Sequence, residues 1–234
     1  MPQGKHGEKT RSWHSSVARD RGKEDAMKLA TIGSGNIGKS IGARASKAGY
    51  EVIFSARAEQ HALEAAKAAG NNARSAGVRE AVELADIVLL ALPHGAVEEV
   101  LSNVRPLLKG KVLIDATNAL TAVSGALTNG SATSAAEEIA KLVPEAKVVK
   151  AFNTVFAQVY ASQYPEVKGN TVSVYYAGDD KESKAKVADL IRKMGFDAVD
   201  AGPLKAARNL EPMALLKIAP QLVPHSSAKA AGWG

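Results

Sequence analysis

Gly33-Ser34-Gly35-Asn36-Ile37-Gly38 sets three glycines at the spacing G-x-G-x-x-G. At that spacing the first glycine makes a tight turn and the second lets backbone approach a pyrophosphate. The third lets a helix pack closely on a sheet. A helix beginning there offers free N–H groups and partial positive charge to the same anion. The expected chemistry is capture of a dinucleotide. Ser55-Ala56-Arg57 starts 22 residues after Gly33, where NAD sites usually carry an acid for the ribose hydroxyls. No acid stands at this strand end. The Arg57 guanidinium instead presents a fork of donors matched to phosphate geometry, so the expected nucleotide is NADP(H).

These residues need a strand, a turn and a helix to hold them, and the chain supplies that order repeatedly. Strand and helix patterns alternate from Met27 onward, the mark of an α/β sheet. Asp86 to Pro93 is almost continuously apolar, as a parallel strand buried on both faces requires. Further strands are expected at Glu51–Phe54, Lys111–Ala116, Lys147–Phe152, Thr171–Ala177 and Ala198–Ala201. Helical spacing joins them, as in Val97, Val100, Leu101, Val104 and Leu108, or Val187, Leu190, Ile191 and Met194. The fold class is a doubly wound, mostly parallel Rossmann sheet extended by about two C-terminal strands. Three parts are expected: a disordered basic extension over 1–26, the folded domain over 27–217, and a loose tail over 218–234.

Ligands of such sheets bind outside the carboxyl ends of the strands. Those ends bring Gly33 to Asn36, Ser55 to Arg57, Ala91 to His94, Thr117 to Asn118 and Ala151 to Asn153 to one edge. His94, after Leu92-Pro93, stands beside the nicotinamide half of the cofactor, where proton donor, stacking wall and inert loop residue all remain open. Asn118 and Asn153 are either carboxamide ligands or helix caps. No Ser-His-Asp set, paired carboxylates or metal-ligand cluster converges on these ends. Asp179-Asp180 reads as a helix cap.

Composition narrows the classes further. Hydrophobic residues form 46% of the 234, enough for a sizeable core, and the charged 23% is ordinary. With no cysteine, disulfides, thiolate metal sites and a cysteine nucleophile are excluded, so redox chemistry requires a bound cofactor. The net charge of +6 comes from scattered bases without a nucleic-acid-binding motif. The run Ile87 to Leu92 is far too short to cross a bilayer. Neither nucleic acid nor membrane is an expected partner; a cytoplasmic location is expected and a homodimer is left open. Met1 to Ala26 carries Lys5, Lys9, Arg11, Arg19, Arg21 and Lys23 among four acids and little apolar surface. Met27, directly before the first strand, is the natural beginning of the fold.

Several segments together resemble a known family. They are Met27 to Gly38, Leu89 to Pro93, Ile114 to Asn118, Val148 to Thr154, Ala177 to Asp180, Asp200 to Leu204 and Arg208 to Pro212. In this order they are similar to the NADPH-dependent reductases of the deazaflavin coenzyme F-420. They are similar too to the cytosolic oxidoreductase domain of six-transmembrane metalloreductases. The resemblance implies hydride transfer between NADP(H) and a deazaflavin or flavin (coenzyme F-420, FMN or FAD) lying against the nicotinamide. It further implies pyrophosphate contacts from Gly33, Ser34, Gly35, Asn36, Ile37 and Gly38, and 2′-phosphate contacts from Ser55 and Arg57. A nicotinamide pocket near Leu92, Pro93, His94 and Asn118 completes the implied site, and Ala91 and Ala151 at the strand ends are expected to touch the cofactor as well. This chain departs from the family in having Ser55-Ala56-Arg57 for Gly-Ser-Arg, and Ala119 where proline often follows Thr-Asn. A pyrroline-carboxylate-type imine reductase and a non-catalytic NADPH sensor stand as alternatives.

Overall fold

The computed structural model describes residues 26–70, 72–119, 132–167 and 169–222. Most of the expected basic extension and the tail beyond Leu222 lie outside the described residues. The chain alternates β1 (Lys28–Ile32), α1 (Asn36–Lys47), β2 (Glu51–Ser55), α2 (Glu59–Ala69), β3 (Arg74–Ser75), α3 (Val78–Leu84) and β4 (Ile87–Leu90). It continues with α4 (Val97–Val104), β5 (Val112–Asp115), α5 (Ala135–Leu142), β6 (Lys147–Ala151) and α6 (Ala157–Ala161). The last elements are β7 (Glu166–Val167), β8 (Asn170–Thr171), β9 (Ser173–Gly178), α7 (Lys181–Lys193), β10 (Asp197–Asp200) and α8 (Ala207–Leu222).

Eight strands form one sheet in the order β10-β9-β6-β5-β4-β1-β2-β3. From β3 to β6 every neighbour is parallel, giving the doubly wound order 3-2-1-4-5-6. The central strands need apolar side chains on both faces. β4 and β5 are accordingly buried at every position. On one face, Leu29, Phe54, Leu89 and Val149 pack against α1, α2, α6 and α7. On the other, Ile32, Ile53, Leu90 and Leu113 pack against α3, α4 and α5.

The two extra strands are present, but β9 runs antiparallel to β6, pairing Val149 with Gly178 and Ala151 with Tyr176; β10 then runs parallel to β9. The expected strand Thr171–Ala177 is divided at Val172. Asn170 and Thr171, both exposed, pair back with β7 as a separate hairpin, and Ser173 opens the main-sheet strand. The sequence hides this break because the β-branched Thr171, Val172 and Val174 run across it. The short β3, β7 and α6 span too few residues to show a period. Asp180 caps α7 by accepting from the Ser183 amide, and Asp179 accepts from the Leu204 amide instead. The last helix runs on to Leu222, past the expected boundary at 217. Among the described residues no helix is long and apolar enough to cross a membrane.

Helices α5 and α8 are joined by a forked ion pair. Arg208 donates from Nε and Nη2 to the two carboxylate oxygens of Glu137, both at 2.8 Å. These bonds hold the Glu137 carboxyl below its ordinary range. A carboxyl with a lowered folded-state pKa contributes stability above its unfolded value. That contribution is lost as pH falls through the lowered one. Glu137→Gln should therefore melt below the wild type near neutral pH. Thermal scans across the acid range should show the gap closing below the ordinary carboxylate pKa of about 4.3.

Candidate functional site

The glycine turn is fixed by backbone packing. Gly33 has φ of 104°, a left-handed conformation that glycine adopts freely, and a Cβ there would sit 2.3 Å from the carbonyl oxygen of Ala91. A Cβ on Gly38 would lie 1.8 Å from the carbonyl oxygen of Gly33. The turn, the start of α1 and the end of β4 thus touch through backbone. Gly35 differs: a Cβ there would meet no protein atom within 4 Å, so the residue faces outward. Gly35 is also the N-cap of α1 and no side chain caps the helix, so its first amides are left for a ligand.

The end of β2 separates the two residues expected at the phosphate. Ser55 is fully buried; its carbonyl accepts from the Gly33 amide at 2.9 Å and the Ser34 hydroxyl at 3.2 Å. Its own hydroxyl is enclosed and has no hydrogen-bond partner among the described residues. Ser34 is likewise turned into the protein. Arg57 is exposed and, among the described residues, has no ion pair, leaving its fork available to an anion.

Beside the turn lies a cavity of about 120 Å³, lined by Ile37 of α1, Ala116 and Asn118 after β5, and Phe152 and Asn153 after β6. Thr154, Val155, Phe156, Ala157 and Ala214 complete it. Asn153 donates from Nδ2 to Asn118 Oδ1 and to the carbonyl of Leu210, both at 3.0 Å. Asn153 Oδ1 is buried without a donor. Phe152 is the only described non-glycine residue with positive φ, at 66°. Such a conformation costs on the order of 1–3 kcal/mol and persists only where surroundings impose it. Here the Tyr160 hydroxyl donates to the Phe152 carbonyl at 3.0 Å. The Tyr160 ring meets the Phe152 and Phe196 rings edge-on, at 5.8 and 5.3 Å between centroids. The bend turns the chain after β6 so that Asn153 meets Asn118.

Ala91 and Leu92 are partly buried at the end of β4, and Pro93 is exposed. His94 opens a 3-10 turn, its Nε2 3.8 Å from a Glu138 carboxylate oxygen and its Nδ1 buried without a partner. Ala151 is fully buried and does not line the cavity. A larger cavity, about 760 Å³, lies elsewhere, between α1, α2, α6 and α7 and away from the strand ends.

One charged group at this edge was not foreseen. Lys150 is fully buried and its Nζ donates to Asp115 Oδ2, Thr117 O and Glu211 Oε1 at 2.8, 2.6 and 2.8 Å. A lysine between the apolar Val149 and Ala151 is the signal the sequence carries. Among the described residues no group of three or more His, Cys, Asp or Glu is arranged to hold a metal.

Glycine turn, open helix terminus and amide-walled cavity share one sheet edge, the arrangement of dinucleotide-binding Rossmann proteins. The orphaned Asn153 acceptor and the outward-facing Gly35 fit such a ligand. Residues 28–119 match the family described as NADP oxidoreductase, coenzyme F420-dependent. An F420-dependent NADP reductase of Methanothermobacter marburgensis is 32% identical, over 84% of this chain and 91% of that protein. The human metalloreductase STEAP2 is 31% identical over 83% of this chain, which spans only 37% of that protein's length. The crystal structure of a hypothetical protein from Sinorhizobium meliloti superposes with a TM-score of 0.71 at 29% identity, covering 79% of this chain and 89% of that one. The chain belongs to the family of F420-dependent NADP reductases.

Gly35→Ala should separate folding from binding. The new methyl meets no protein atom, so stability should fall by no more than about 1 kcal/mol, the scale for losing a favourable N-cap residue. NADPH affinity should drop at least about tenfold, because the methyl occupies the face that backbone must offer to pyrophosphate. Thermal melting and fluorescence titration of NADPH report the two effects.

Proposed function

We propose that this chain is an NADP(H)-dependent oxidoreductase that transfers hydride between NADP(H) and coenzyme F-420, a deazaflavin, or a flavin such as FMN or FAD. The observation that carries this reading is the continuity of the glycine turn with an amide-walled cavity lacking any acid–base pair. Gly33 to Gly38 would hold the pyrophosphate through backbone amides, and Arg57 would hold the 2′-phosphate. The enclosed Ser55 hydroxyl leaves that phosphate to Arg57 and to backbone. Leu92, Pro93 and His94 would form one side of the nicotinamide pocket, and Asn118 and Asn153 the amide side.

The bound nucleotide supplies the hydride chemistry, so the chain's task is placement. Donor and acceptor carbons need to lie about 3–3.5 Å apart in a near-attack geometry. Asn153 Oδ1 is a buried acceptor suited to a carboxamide N–H. Ile37, Val155 and Phe156 give the same cavity apolar walls, which would keep water from the bound nicotinamide. Lys150, Asp115 and Glu211 do not line it, so proton transfer from them to a substrate there has no direct path. Membership of the family supports the choice of a deazaflavin over a small carbonyl substrate.

Arg57→Ala should weaken NADPH by about 1.5–3 kcal/mol, the scale of a hydrogen bond to a charged group, and leave NADH nearly unchanged. Paired titrations of the two nucleotides check this; equal losses would remove Arg57 from the phosphate site.

The acceptor is tested by steady-state NADPH oxidation with coenzyme F-420, FMN, FAD and pyrroline-5-carboxylate offered separately. Turnover with a flavin or deazaflavin is expected. His94→Ala should then slow turnover less than the 10²–10⁴-fold typical of a lost general acid or base. Turnover with the imine alone would make the chain an imine reductase. Tight NADPH binding with no turnover of any acceptor would make it a sensor.

A further inference from the structure

Lys150 sits one residue before the end of β6, and all three ammonium protons have partners on separate parts of the chain. Asp115 is the last residue of β5, and its second oxygen accepts from the Thr117 amide at 2.8 Å. Thr117 also gives its carbonyl to Lys150, so the residue before Asn118 is held at both its backbone polar groups. Glu211 comes from α8 and accepts from the Ala135 and Ala136 amides as well, closing the N-terminus of α5. The ammonium and both carboxylates are essentially without solvent exposure.

Each partner of Lys150 leads directly to a wall of the cavity. Thr117 precedes Asn118. Lys150 is separated from Asn153 only by Ala151 and the bent Phe152. Glu211 follows Leu210, whose carbonyl accepts from Asn153, and lies three residues before Ala214. By contrast Gly33 to Gly38 lie in the turn after β1 and the start of α1, and Arg57 lies beyond β2. No bond of the cluster reaches them.

We propose that Lys150 is a positioning residue for hydride transfer, fixing through Asp115, Thr117 and Glu211 the spacing of Asn118, Asn153 and Ala214 around the nicotinamide. This deepens the reading given under Proposed function and rests on it. A compact ammonium suits the role: three donors on one nitrogen meet three oxygens from β5, its following loop and α8. An apolar residue of similar length fills the volume but leaves two buried carboxylates unpaired, so the walls they hold must shift.

The test compares two probes. NADPH spans both halves of the site, whereas adenosine 2′,5′-bisphosphate reaches only the nucleotide-turn half. Lys150→Met should bind adenosine 2′,5′-bisphosphate within about twofold of wild type while losing at least tenfold in NADPH affinity. Its kcat with the acceptor that the wild type uses should fall 10–100-fold, the scale of an ångström-sized misplacement. Glu211→Gln keeps the volume and one acceptor oxygen; it should show the same selective loss to a smaller degree, and it carries the test if Lys150→Met does not fold. Equal loss of both probes in a folded variant, or retention of wild-type NADPH affinity and kcat, would overturn the assignment of Lys150. Wild-type protein that binds neither probe would instead overturn the functional reading and this inference with it.

Discussion

Backbone contact between the glycine turn and the end of β4 is the constraint on which the site depends. A carbonyl at Ala91 and a carbonyl at Gly33 occupy the space where side chains of residues 33 and 38 would begin. That contact sets the distance of α1 from the sheet and the direction in which its first amides point. Since α1 also packs against α2 and α6, its placement carries outward through one whole face of the molecule. A third glycine, Gly42, extends the constraint, because a Cβ there would press to 2.6 Å on the buried ring of Phe54. The helix approaches β1 and β2 closely because its facing side lacks side chains at these positions.

The opposite half of the site is held by electrostatics rather than by contact of small residues. Burying one ammonium with two carboxylates costs desolvation, and well-packed apolar side chains often replace such clusters without loss. What the cluster contributes is definition: an apolar patch tolerates sliding, whereas Nζ with three fixed oxygens does not. The α5 amides at Glu211 offset the excess negative charge. One half of the candidate site therefore has its geometry set by sterics and the other by charge.

Much of this was legible in the chain itself. Glycine spacing, the apolar run through Ile87 to Leu90 and the helical periods identify the doubly wound core, because local patterns report burial directly. The position of Arg57 just beyond β2 was readable for the same reason, its offset from Gly33 being fixed by one helix and one strand. The direction of β9 was not, since an alternating strand carries the same pattern whichever neighbour it pairs with. Nor was the enclosure of Ser55, which depends on how Ser34 folds over it. Asp115 and Glu211 stand 35 and 61 residues from Lys150 along the chain. Nothing local marks them as partners, although a lysine between Val149 and Ala151 is an anomaly of composition that only a distant carboxylate resolves. The Asn118–Asn153 pair depends in turn on the left-handed bend at Phe152, a residue type that gives no sign of such backbone.

The reversal of β9 gives the molecule a division of labour. Because β9 and β10 run against β6, their carboxyl ends lie at the edge of the sheet away from the site, and the αβ unit they frame lends it no strand-end loop. The chain must return across the sheet, and it does so as α8, which lines the cavity with Ala214 and bonds the residues behind its walls through Leu210 and Glu211. The glycine turn is thus written in a loop at the strand ends, whereas Ala214 brings the flank of one helix to the cavity. A helix flank can be altered residue by residue while the backbone stays put. Variation at positions such as Ala214 reshapes what fits against that wall and leaves the grammar of the glycine turn untouched.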